Sequence, residues 1–226
     1  MLSFRVTIPP VVEPVTLAMA KLHLRVDFSD DDLLITALIS AAREWCEVYC
    51  KRAFFSQTIV LSLDAFPLFF SNSGTIPPSQ MRGYPYYSSY WDPLCIRLPR
   101  PSAVAVSSIT YRDLTNTIQT LDPSTYYVDV TSEPARIVPM PSLTWPTTQL
   151  YLPGSVQVTY TAGTYGDGVT VNTCPQTIVA AMLLMIGHLY EHRETVTELN
   201  LKQIPLGVQA LLDSVRFDTF TFDSSY

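Results

Sequence analysis

The sequence predicts an α+β fold: a helical bundle formed by N- and C-terminal helices, an inserted antiparallel β region, and an extended C-terminal tail. Three observations predict it. Helical periodicity is confined to two blocks, one near each end of the chain. Between them run short alternating segments separated by turn residues, the pattern of an antiparallel β region. The last residues alternate aromatic and polar side chains in a stretch too short to fold alone. The boundaries are 1–56 for an N-terminal arm and helices, 57–168 for the β region, 169–216 for the closing helices and 217–226 for the tail.

Residues 1–15 read as an extended arm punctuated by Pro9, Pro10 and Pro14. Thr16 then caps a short helix with Leu17, Ala20, Leu24 and Val26 on its apolar side. After a turn at 27–29, Ser29 with Asp32 three residues on forms a variant of the capping box, and Asp30 and Asp31 suit the positive end of the helix dipole. The helix that follows, DDDLLITALISAAREWCEVYCKRA, is the clearest in the chain. Leu34, Leu38, Ala41, Ala42, Trp45 and Tyr49 recur at helical spacing, and Lys51 and Arg52 suit its C-terminal end.

TIVLSLDAF alternates as a strand, with Ile59, Leu61 and Leu63 on one face. Periodicity is then lost over 66–93, a loop rich in Pro, Ser and Tyr whose length points to function or disorder. LCIRLP, AVSSITYRD, TIQTLD, STYYVDV, PARIVPM and SVQVTYTAG continue the β pattern, with DLTN as a turn. Gly163, Gly166 and Gly168 close the region as turn glycines; no phosphate-gripping Lys-Ser/Thr follows them. Pro175 lies in the first turn of the helix PQTIVAAMLLMIGHLYEHRE, which is apolar on nearly every side from Ile178 to Ile186. That composition predicts the middle of a core or an assembly, with Leu184 buried in it. Pro205 opens a last short helix, LGVQALLDSVR.

Composition narrows the function. Only 15% of the 226 residues are charged, against roughly 25% in an ordinary soluble domain, so partners that cover uncharged surface are expected. A net charge of −6 argues against a protein that grips DNA phosphates. The N-terminus has no signal-peptide pattern and the longest apolar run falls far short of the roughly 20 residues that span a bilayer, so the reading is soluble and intracellular, with no membrane partner. Four cysteines, Cys46, Cys50, Cys95 and Cys174, are too few for a disulfide scaffold and read as reduced thiols.

His188-Leu-Tyr-Glu191-His192 formally matches the HxxEH zinc-peptidase pattern, which makes a zinc hydrolase the rival reading from a different class. No third acidic ligand is well placed downstream, and the segment reads better as the solvated end of a helix. Cys46 and Cys50, one helical turn apart, read as small, partly buried thiols. No catalytic, cofactor-binding or metal-binding residue is therefore assigned, and the chain is not expected to be an enzyme. Tyr84, Tyr86, Tyr87, Tyr90 and Trp91 are interleaved with a single cation, Arg82, and suit a protein-contact loop better than nucleic acid.

The succession VTLAMAKLHLRVD, DDDLLITALISAAREWCEVYCKRA, IRLPRPSAVAVSSITYRD, QTLDPSTYYVD, PARI, VQVTYTAGTYGDG and CPQTIVAAMLLMIGHLYEHRE resembles the head–tail connector (adaptor, head-completion) proteins of tailed phages and gene transfer agents. The resemblance covers most of the chain outside 66–93 and the tail. It implies a virion structural protein made in the host cytoplasm and placed at the neck. There a homo-oligomeric ring, usually dodecameric, sits below the portal protein, extends the DNA channel without gripping DNA, and presents a docking platform for a downstream stopper or tail protein. It further implies that the C-terminal segment reaches the portal, making Phe217, Phe220, Phe222 and Tyr226 candidate portal contacts. A stopper or tail-completion protein of the same particle is the nearest alternative. The chain departs from the family in two places: Met19 stands where an acidic capping partner is common, and 66–93 is longer than usual.

Overall fold

The computed structural model describes residues 2–67, 94–148, 152–167, 169, 173–192 and 206–217. Two units emerge: strands from Met1–Pro9 and Gln57–Ala162, and helices from Pro10–Ser56 and Gly163–Asp218. The α+β class is that expected from the sequence, with helices both before and after the strands of Gln57–Ala162.

The helical unit holds α1 (Leu17–Leu24), α2 (Asp32–Cys50), α3 (Gln176–Glu191) and α4 (Leu206–Asp213). Thr16 caps α1 as expected: its hydroxyl accepts the Met19 N–H at 3.2 Å, so the first half of a capping box survives without an acidic residue at 19. Ala20 and Val26 are buried, with Leu17 and Leu24 packed against the same core. The capping box expected at Ser29 does not form. The Ser29 carbonyl, not its hydroxyl, accepts the Asp32 N–H. Asp32 spends its carboxylate on Lys21 Nζ at 2.6 Å, and Asp31 accepts the Tyr190 hydroxyl. Tertiary ion pairing and hydrogen bonding have taken the carboxylates that local capping would have used.

The buried face of α2 also differs from expectation. It consists of Ile35, Ile39, Ala42, Arg43, Cys46, Glu47 and Cys50, whereas Leu34 and Ala41 are exposed and Leu38, Trp45 and Tyr49 flank the stripe. The sequence reading missed it because two members of the stripe are charged. They can be buried because they pair with each other. In α3, Ile178, Val179, Ala181, Met182, Met185 and Ile186 are buried, but Leu184 is 41% exposed, which corrects its expected burial. An all-round apolar helix still leaves one line of side chains facing outward within its own subunit. Gly163 is fixed by packing: a Cβ there would lie 2.3 Å from the Ser56 nitrogen, inside backbone van der Waals contact.

The strand unit contains β1 (Leu2–Ile8), β2 (Gln57–Leu63), β3 (Ile96–Arg97), β4 (Ala103–Arg112), β5 (Ile118–Thr120), β6 (Tyr126–Asp129), β7 (Arg136–Pro139) and β8 (Val156–Ala162). They form an antiparallel five-stranded sheet, β1-β2-β8-β4-β5, and a three-stranded sheet, β3-β7-β6. Ile59, Leu61 and Leu63 share the core face of β2, as their alternation indicates. Residues 2–8, part of the presumed arm, are a sheet-paired strand instead of a free extension. The DLTN turn closes on Asp113, whose Oδ1 accepts the N–H groups of Thr115 and Thr117 at 2.9 Å each and whose Oδ2 accepts from Gln119.

Candidate functional site

The described residues contain no cluster of three His, Cys, Asp or Glu side chains able to hold a metal ion. His188 and His192 stack one turn apart at the end of α3, ring centroids 4.7 Å apart, and His192 Nδ1 lies 3.0 Å from the His188 carbonyl. Glu191 is exposed. The geometry is that of a helix end. Cys46, Cys50 and Cys174 are buried thiols, and burial, the largest cause for each, pushes all three up to about 12. Thiols held so far from ionisation are poor nucleophiles at neutral pH.

The features with functional content are surfaces and the anchors that hold them. In the helical unit, Arg43 Nε donates to Glu13 Oε2 at 2.8 Å and Arg43 Nη1 to Glu47 Oε2 at 3.1 Å, while Glu47 Oε1 accepts the Phe54 N–H at 2.8 Å. Ser40 adds a hydrogen bond to Glu13. One guanidinium thereby fixes the segment entering α1 and, through Glu47, the chain leaving α2.

The root of the C-terminal tail is similarly held. The Phe217 N–H donates to the Cys50 carbonyl at 2.9 Å, Arg216 lies over the Tyr49 ring at 5.2 Å, and the Tyr49 hydroxyl donates to Asp213 at 2.8 Å. Of the candidate portal contacts, only Phe217 is among the described residues; Phe220, Phe222 and Tyr226 lie outside them. The candidate loop residues Tyr84, Tyr86, Tyr87, Tyr90 and Trp91 also lie outside them. The structure does describe where that loop leaves and returns. Phe66 stacks on Trp145 with ring centroids 5.0 Å apart, and Trp145 Nε1 donates to the Leu94 carbonyl at 2.7 Å.

Sequence reasoning missed a surface at β1. Its residues are exposed from Ser3 through Pro9, with Phe4 at 39%, Val6 at 38% and Ile8 at 60%. The alternation in LSFRVTI was the available signal, masked by the prolines that follow it. Further uncharged surface lies on the helical unit, where Leu22 is 82% and Leu33 is 88% exposed. No helix among the described residues is long and apolar enough to cross a membrane.

The described residues thus combine exposed apolar surface with no cluster of three potential metal ligands. Comparison with known proteins finds similarity in sequence and in fold. Residues 14–80 match the family model for phage gp6-like head-tail connector proteins. No curated protein sequence matches the chain. Among solved structures, the fold is similar to a chain of the virion of a native gene transfer agent particle, with a TM-score of 0.66 at 18% identity over 97% of this chain and 96% of that one. It is likewise similar to chains in the neck of an empty particle computed with C6 symmetry (TM-score 0.65) and the neck of a native particle computed with C12 symmetry (TM-score 0.61), with the same identity and coverage. At that identity, the shared property is the fold.

Proposed function

We propose that this chain is a structural protein of the virion neck, a head-to-tail adaptor and not an enzyme. Its copies close into a dodecameric ring below the portal that extends the DNA channel and offers the docking platform for the tail. The observation that carries this reading is the coincidence of two independent likenesses: the connector signature in 14–80, and a fold shared over nearly the whole chain with a component of a gene transfer agent particle. A neck computed with twelvefold symmetry is the natural setting for twelve copies of such a fold. The exposed apolar surface and the acidic balance agree with it: a ring subunit buries uncharged surface against neighbours, and a net −6 per copy repeated around a lumen repels DNA in transit.

Within this reading, Phe217, Phe220, Phe222 and Tyr226 contact the portal, starting from the fixed root at Phe217. Tyr84, Tyr86, Tyr87, Tyr90 and Trp91 face a neighbouring protein. The full chain mixed with its portal protein tests the assignment by electron microscopy and native mass measurement. A closed ring on the portal is expected; monomer with no portal affinity overturns it. Deleting 217–226 is expected to abolish portal binding, and unchanged binding refutes the tail's role.

A further inference from the structure

We infer that the open edge of β1 is a subunit-joining surface, and that the strand added to it is β5 of the neighbouring copy in the ring. The inference rests on the ring reading and names one of its contacts.

The five-stranded sheet ends in β1 on one side and β5 on the other, and among the described residues neither has a second partner strand. Every residue from Ser3 to Pro9 is exposed, and so are Ile118, Gln119 and Thr120. Natural edges of this kind are ordinarily blunted by prolines, charges or covering elements. From Leu2 to Ile8 there is no proline and one charge, Arg5, and the pairing with β2 is regular from Leu2 to Val6.

Two apolar side chains of β1 lie open at this edge. Phe4 continues a row across the sheet, Phe4–Leu61–Val158–Ile109, and Val6 continues the next, Val6–Ile59–Tyr160. Leu61, Val158, Ile109, Ile59 and Tyr160 are wholly buried, yet Phe4 and Val6 remain more than a third exposed. A strand added beyond β1 extends the ladder and flanks these two side chains on their open side.

A second copy is the occupant that the two edges themselves indicate. A closing ring needs a heterologous contact, in which two different patches of one subunit meet on adjacent copies. The ends of one sheet supply such a pair. Their charges complement each other: Arg5 lies on β1, and Arg100 sits over the Phe4 ring at 5.5 Å. β5 is flanked by Asp113 and Asp122, whose hydrogen bonds to neighbouring Thr, Gln and Ser groups favour the ionised form, while the adjacent Arg112 is turned onto Asn116. The rest of that end is unsuited to pairing, because register shifts interrupt β4 between Ala103 and Ala105 and between Val106 and Ser108. Three residues of β5 make a weak contact alone, suited to copies already gathered around an axis.

The test is disulfide trapping in rings assembled from the full chain with its portal. The four native cysteines are buried, so introduced surface thiols report without background. Arg5→Cys and Gln119→Cys in one chain are expected to give, on mild oxidation, a ladder of linked chains reaching the whole ring, and neither substitution alone is expected to link any. Arg5→Glu is expected to weaken ring formation without changing the melting temperature of the exposed-edge monomer. Rings that form normally with no cross-links overturn the β1–β5 contact and leave the ring reading standing. Dimers from Arg5→Cys alone also overturn it, because two β1 edges would then be meeting symmetrically. Absence of any ring in the unsubstituted chain defeats the ring reading, and the contact with it.

Discussion

Arg43 and Glu47 face each other across one turn of α2, Nη1 to Oε2 at 3.1 Å, with side chains only 5% and 2% exposed. Both are spent twice over, Arg43 on Glu13 as well and Glu47 on the Phe54 N–H. Removing one partner leaves a buried charge without compensation. Arg43→Ala is therefore expected to lower unfolding free energy by about 3–5 kcal/mol. The neighbouring Glu44 also approaches Arg43, at 3.7 Å, but is 70% exposed. Glu44→Ala is expected to change stability by less than about 1 kcal/mol. Denaturant unfolding of both variants checks the contrast, and equal effects would show that Arg43 is not the hub.

The two sides of α3 make opposite predictions. Ile186 is wholly buried and Leu184 is 41% exposed. Ile186→Asp places an unpaired carboxylate in the helical core at a cost of several kcal/mol, comparable with a domain's whole stability, and is expected to yield no soluble protein. Leu184→Asp is expected to leave the subunit soluble with a near-normal melting temperature. Insoluble Leu184→Asp would mean that this side of the helix is needed for folding of the subunit itself.

Acid should loosen the β4–β5 turn late. Hydrogen bonds from Thr115, Gln119 and Thr117 hold the Asp113 carboxyl down at about 2, against an ordinary 3.8. Because the folded value lies below the unfolded one, its stabilising effect is complete above about pH 4 and is lost as pH falls through about 2. Asp113→Asn is expected to remove that part of the acid dependence and to increase amide exchange at Thr115 and Thr117. A carboxyl titration followed by NMR near pH 4 would refute the assignment.

The thiols should be silent in the folded protein. Cys46, Cys50 and Cys174 are buried and pushed up to about 12. Alkylation at pH 8 is expected to leave all three unmodified by mass spectrometry until denaturant is added. Rapid modification of any one of them in native conditions would reveal an opening of the helical core.

The sequence went furthest where local and global requirements agree. Thr16 caps α1 as its position suggests, the Asp113 turn follows from DLTN, and the alternation of Ile59, Leu61 and Leu63 identifies the core face of β2. Residues of the wrong polarity for their burial defeated it. The α2 stripe passes through Arg43 and Glu47, so a hydrophobicity pattern rotates away from the true buried face toward Leu34 and Ala41.

Composition, periodicity and turn chemistry, being properties of neighbouring residues, by themselves determined the α+β class, the placement of helices at both ends, and most elements in order. Tertiary structure alone decided that residues 2–8 join β2 as a sheet edge, that Asp31 and Asp32 leave capping for Tyr190 and Lys21, and that Leu184 rather than Ile186 faces outward. Each of those outcomes depends on partners distant in sequence. Their free energy comes from contacts that exist only once the chain has folded, so no window of adjacent residues encodes them.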